Sequence, residues 1–173
     1  MSKISDLLVT NAENYISQLF AAKLPEKVIF HNFSHIMALQ KHAETIGEHA
    51  GIPHDEMNLL RICALFQDSG FVNSVENYRD ESIRLASEFL AEQGVDQEMI
   101  NRVADILKPE LPGVEPKDAT GGLLTDANLM FFIADDGLEQ LDMLYDESAM
   151  NKPGFVKRSV YEKGFLEFLE KHT

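Results

Sequence analysis

Tryptophan is absent from this chain of 173 residues, cysteine occurs once, and acidic residues outnumber basic ones almost two to one. Each shortage excludes something. A lone cysteine, Cys63, allows no internal disulfide, so the fold depends on a packed core. With 15 Lys plus Arg against 29 Asp plus Glu, the formal charge is -14. That balance argues against a nucleic-acid polymer or an anionic membrane surface as partner, since both demand a basic patch. No stretch approaches the ~18 consecutive apolar residues of a membrane span. The opening "MSKISDLLVTNAENY" lacks the apolar core of a secretion signal. These absences together predict a cytoplasmic chain.

What is present is helical periodicity. Hydrophobic residues make up 45% of a chain long enough for one well-filled domain, here taken as residues 1–173. Residues 5–22 carry Leu7, Leu8, Tyr15, Ile16, Leu19 and Phe20 at helical spacing, before Pro25 ends the pattern. Residues 34–50 repeat Ile36, Leu39, Ala43, Ile46 and Ala50, closed by Gly51. Pro53 opens a third helix with Asp55 and Glu56 in its first turn, where the helix dipole favours acids. Gly70 is expected to stop it. A fourth helix is predicted over 78–93, ending at Gly94, and a fifth capped by Asp96. One or two more are expected over 123–148, and a last over 154–171, which docks on the rest. Strand patterning is nearly missing, so the expected class is an all-α, single-domain helical bundle. Residues 109–122, "PELPGVEPKDATGG", break the helical pattern with three prolines and three glycines, and are predicted to form a loop or lid.

Ligand-type side chains gather in a few places. In "FHNFSH", His31 and His35 stand four apart, a spacing that puts both on one helical face. The segment "LLRICALFQDSGF" runs from an unbroken apolar stretch straight into Gln67 and Asp68, and a carboxylate there needs a partner. In "LLTDANLMFF", Asp126 offers a carboxylate, although Thr125 or Asp126 as a helix N-cap explains the segment equally well. Asp135, Glu139, Asp142 and Asp146 read as a solvated acidic stripe. His42 and His49, ~10.5 Å apart along their helix, read as solvated.

Taken in order, these segments resemble the HD-domain superfamily of metal-dependent phosphohydrolases. Its members carry a His-Asn-x-x-His start, a Leu-Phe-His-Asp-x-Gly-Phe segment, a His-Glu helix start and an Asp-Ala-Asp-Leu segment. The corresponding stretches here are "FHNFSH", "ALFQDSGF", "NYRDESIRLASEFL" and "LTDANL", spanning roughly residues 28–140. The resemblance implies one divalent metal ion on His35, Asp68 and Asp126, with Gln67 in the place of the ligand histidine. It makes His31 the proton donor to the leaving group and Asp68 part of the catalytic machinery. Tyr78, Arg79 and Asp80 fall where the His-Glu pair belongs, and Asn128 replaces the second aspartate. With Lys117, Tyr78, Arg79 and Asp80 are the candidates for substrate binding. The implied substrate is a small phosphorylated molecule, such as a phosphate ester or nucleotide. The departures at Gln67 and Tyr78 leave a second expectation open, a non-catalytic module of the same scaffold that binds a ligand or protein without a metal.

Overall fold

The computed structural model describes residues 3–108 and 118–172, which form eight α-helices and one 3₁₀ turn, with no strand among them. Helix α1 (Asp6–Lys23) starts at Ser5, whose hydroxyl accepts from the Leu8 N–H. Helix α2 (Phe33–Ala50) starts at Asn32 and ends at Gly51 in the left-handed region, φ 65°, a conformation that costs glycine nothing. Helix α3 (His54–Phe66) follows Pro53, and the 3₁₀ turn (Ser69–Val72) follows α3. Helix α4 (Tyr78–Glu92) comes next, then α5 (Gln97–Leu107), whose cap Asp96 accepts from the Met99 N–H. Helices α6 (Ala119–Ile133), α7 (Gly137–Asn151) and α8 (Arg158–His172) complete the chain. No helix of the described residues is long and apolar enough to cross a membrane.

Helix α3 is the axis of the core. Leu59, Leu60, Ile62, Cys63, Ala64, Leu65 and Phe66 are all buried, so the C-terminal half of this helix has almost no solvated face. Helices α1, α2, α4, α5 and α6 pack around it. Burial pushes the Cys63 thiol far above its usual pKa, which keeps it protonated and inert. Leu7, expected on the apolar face of α1, instead points outward at 70% exposure, and Val9 takes the inward position.

Three expectations about boundaries need correction. Residues 118–122 are not loop: Asp118 caps α6 through the Thr120 N–H, and the helix runs on through Gly121 and Gly122. Two glycines weaken a helix by about 1 kcal/mol each, and a buttress offsets that here. Arg102 of α5 grips Glu56 of α3 with both terminal nitrogens, at 2.8 and 2.7 Å, and holds Asp118 at 2.7 Å through Nε. Thr120 adds a hydrogen bond to Glu56 at 2.8 Å. It follows that Thr125 and Asp126 lie inside α6 and cap nothing. The rest of the expected loop, 109–117, falls outside the described residues, and Lys117 with it.

Gly70 does not stop α3, which ends at Phe66. It has a different reason to be glycine. A Cβ on Gly70 would sit 1.8 Å from the Tyr78 carbonyl oxygen and 2.6 Å from the Ser82 nitrogen. The 3₁₀ turn thus lies backbone against backbone on α4, and the Gly70 N–H donates to the Ser82 hydroxyl at 2.8 Å. The acidic stripe is solvated as expected, with Asp135, Glu139, Asp142 and Asp146 all exposed, and two of its members also meet a cation. Arg158 of α8 pairs with Asp142 and with Asp146, the latter at 2.6 Å, while Phe165 packs on Phe132 with ring centres 4.6 Å apart. These contacts tie the last helix to α6 and α7. His42 is not a solvated residue: its ring meets Phe131 edge-on at 4.6 Å.

Gly70→Ala should destabilise the fold by about 3 kcal/mol or more, because backbone has no rotamer with which to yield; urea unfolding measures this, and a smaller loss would mean the turn lifts off α4 cheaply. Arg102 holds the Glu56 and Asp118 carboxyls below their ordinary range. Stability from them is therefore present above about pH 4 and lost as pH falls through the lowered folded values. Arg102→Met should cost about 1–2 kcal/mol near neutrality, and the gap to wild type should narrow in denaturant titrations as pH falls below about 4.

Candidate metal centre and its pocket

The site begins with the loop that enters α2. Asn32 accepts from the His35 N–H at 3.0 Å and donates to the Ile29 carbonyl at 2.7 Å, which pins the chain on both sides of the helix start. His31 therefore lies before α2 and not on it, so the two histidines do not share a helical face. They still meet, with ring centres 5.4 Å apart. Asp68 is delivered from the opposite side by the end of α3. It occupies the cap position of the 3₁₀ turn, yet its side chain caps nothing and remains free to face the histidines.

His31, His35 and Asp68 each present one ligand atom, and these atoms lie within 4.8 Å of one another. His35 and Asp68 are buried, at 7% and 3% exposure. Burial raises the Asp68 pKa, but His31, His35 and Arg79 outweigh it and hold the carboxyl below its usual range. The His35 Nε2 to Asp68 Oδ2 distance is 3.6 Å, beyond a hydrogen bond. It is close to the roughly 3.4 Å that separates two donors each ~2.1 Å from one tetrahedral ion. His35 Nδ1 is buried without a hydrogen-bond partner, a loss of about 1–3 kcal/mol in a closed core. Two imidazoles and a carboxylate match the donor set of divalent transition ions such as zinc, iron or manganese. The residues fit such an ion.

His31 is held from several directions. Its Nδ1 is 2.5 Å from Glu147 Oε1, its ring stacks on Phe71 at 4.2 Å, and Phe30 meets it edge-on at 4.8 Å. Phe71 stacks in turn on Tyr78 at 4.1 Å, and the Arg79 guanidinium lies 5.0 Å from the Tyr78 ring centre. Burial pushes the Tyr78 hydroxyl up to about 12, with the Asp68 charge acting in the same direction.

A pocket of about 400 Å³ opens beside this cluster. Gln67, Asp68, Tyr78, Thr125 and Asn128 belong to its polar part, Leu107, Leu124 and Phe132 to its apolar wall, and Arg79 and Lys108 bring positive charge, that of Lys108 paired with Asp105 at 2.5 Å. Gln67 and Asn128 are joined: the Asn128 amide donates to Gln67 Oε1 at 3.0 Å and to the Leu124 carbonyl at 3.0 Å.

The structure thus brings together His31, His35 and Asp68, and places Gln67, Tyr78 and Arg79 around the adjoining pocket. Asp126 is not among them. It is exposed on α6, and Asn128, two residues on and about 200° around the helix, faces the pocket in its place. Asp80 is exposed in the first turn of α4 and does not line the pocket. Glu147, Phe71 and Lys108 were not foreseen from sequence. Glu147 follows the acidic stripe directly, and an acid between Asp146 and Ser148 carries no mark of burial.

The fold and the site define an all-helical chain with a buried two-histidine, one-carboxylate cluster beside a pocket with a basic rim. Comparisons with protein-family models, with curated proteins and with solved structures return no match.

Replacing the closed amide pair by Gln67→His with Asn128→Asp adds an imidazole and a carboxylate next to Asp68. The double variant should bind a divalent transition ion at least about tenfold tighter than wild type in calorimetry. Unchanged affinity would mean that this pair does not bear on the ion site.

Proposed function

We propose that the chain is a diverged HD-type phosphohydrolase with a single divalent-metal site at His31, His35 and Asp68, acting on a small phosphate ester. The observation that carries this reading is the convergence of three ligand atoms within 4.8 Å, beside a pocket that gathers Arg79 and Lys108 in a chain of formal charge -14. A bound divalent ion supplies Lewis acidity and lowers the pKa of a water it holds.

The remaining work falls to side chains. Arg79 and Lys108 draw the phosphate to the mouth and offset its charge. Leu107, Leu124 and Phe132 give the organic part of the substrate an apolar wall, with a nucleotide within the permitted size. Tyr78 keeps its proton across the physiological range and donates a hydrogen bond to a phosphoryl or leaving-group oxygen. His31 acts in this reading as a ligand and not as the acid, because Glu147 engages its Nδ1 and only Nε2 is left to offer.

A second reading is favoured by the Gln67–Asn128 hydrogen bond. It closes off two side chains at the positions where the resemblance calls for a histidine and an aspartate. In that reading the pocket binds an anionic small molecule without turnover.

Manganese, cobalt and zinc added at a hundredfold excess over Kd should raise the Tm by about 5–10 °C, and Asp68→Ala should abolish the shift. Turnover in a panel of phosphate esters should fall at least about 100-fold in the same variant. Phosphate esters that stabilise the protein without metal or turnover support the second reading. A folded protein with no metal-dependent shift overturns the first.

A further inference from the structure

Among the described residues Glu147 is the other buried carboxylate, at 3% exposure, and it comes from α7, outside the segments that resemble the HD motifs. Its two oxygens divide their work. Oε2 accepts from the backbone N–H groups of Phe30 and His31, at 2.8 and 3.0 Å, while Oε1 faces His31 Nδ1 at 2.5 Å. An ionised carboxylate is acceptor only, so the nitrogen against Oε1 must carry a proton. With Phe71 stacked on one face of the ring, the imidazole has little freedom to flip and present its other nitrogen.

We infer that Glu147 is a positioning residue that sets the tautomer of His31, placing the proton on Nδ1 and leaving the Nε2 lone pair for the His35–Asp68 cluster. A neutral imidazole can ligate only through its unprotonated nitrogen, so the carboxylate decides whether His31 is a ligand at all. The consequence for ion binding rests on the metal-site reading; the tautomer itself does not.

Glu147→Gln makes the inference testable. Glutamine has a single acceptor oxygen, and the two backbone N–H groups claim it. Its NH₂ then faces His31 and requires an acceptor at Nδ1, which drives the ring proton to Nε2. Nitrogen-15 imidazole spectra at about pH 8.5, where an ordinary histidine is neutral, report the tautomer directly, with the His31 signals assigned through His31→Asn. Wild type should show the proton on Nδ1, and Glu147→Gln should invert the pattern. Manganese affinity should fall about 10–100-fold in the variant. A purely structural role would lower the Tm and leave the tautomer unmoved.

A wild-type proton on Nε2 overturns the inference, as does a tautomer unchanged in a folded Glu147→Gln. Should the variant fail to fold, the wild-type spectrum alone decides. Inversion of the tautomer with no ion bound by either protein upholds the role of Glu147 and overturns the metal-site reading instead.

Discussion

The burial of the C-terminal half of α3, through Phe66, is the constraint from which the rest of this structure follows. A run such as Ile62–Phe66, apolar on every side, must be enclosed, and α1, α2, α4, α5 and α6 do the enclosing. Enclosure sets where the helix ends. Because its C-terminus stops inside the fold and not at the surface, the residues that follow are delivered into the interior whatever their polarity. Asp68 is therefore buried by topology, and its charge has to be met from neighbouring elements. The entry to α2 supplies the counterpart.

From this comes a chain of alternating character across the molecule: the Glu147 carboxylate, the His31 and His35 imidazoles, and the Asp68 carboxylate. Each acid faces a histidine, and neither is left without compensation. Arg79 adds its charge on the Asp68 side, and the backbone N–H groups of Phe30 and His31 add theirs on the Glu147 side. The apolar rings of Phe30, Phe71 and Phe131 surround the histidines and lower the local polarity, strengthening each of these interactions.

Much of this was legible in the residues. The helical class, the caps at Asp96 and Gly51, and the burial of Cys63 follow from spacing and from side-chain chemistry acting within one turn. His35 and Asp68 stood out because a polar group at the edge of an apolar run asks for a partner. What was hidden depends on contacts between distant segments. The start of α6 looked like loop because Gly121 and Gly122 argue against helix, and the grip of Arg102 on Asp118 that overrides them spans 16 residues. Asp126 looked like the ligand carboxylate, but the rotation of α6 turns Asn128 inward, and rotation is set by packing against α2 and α3. Glu147 reaches the site across 116 residues of sequence, and no local pattern marks it.

The seat of Gly70 on α4 has a consequence for how the site is gauged. Side chains can repack around a changed neighbour, but a carbonyl oxygen and an amide nitrogen cannot. Because the 3₁₀ turn meets α4 through backbone at Tyr78 and Ser82, the span between Asp68 and Tyr78 is fixed by main-chain dimensions that every sequence shares. The turn is a ruler. Residues on the outer face of α4 are free to drift through substitution while the distance from Asp68 to the start of α4 stays the same.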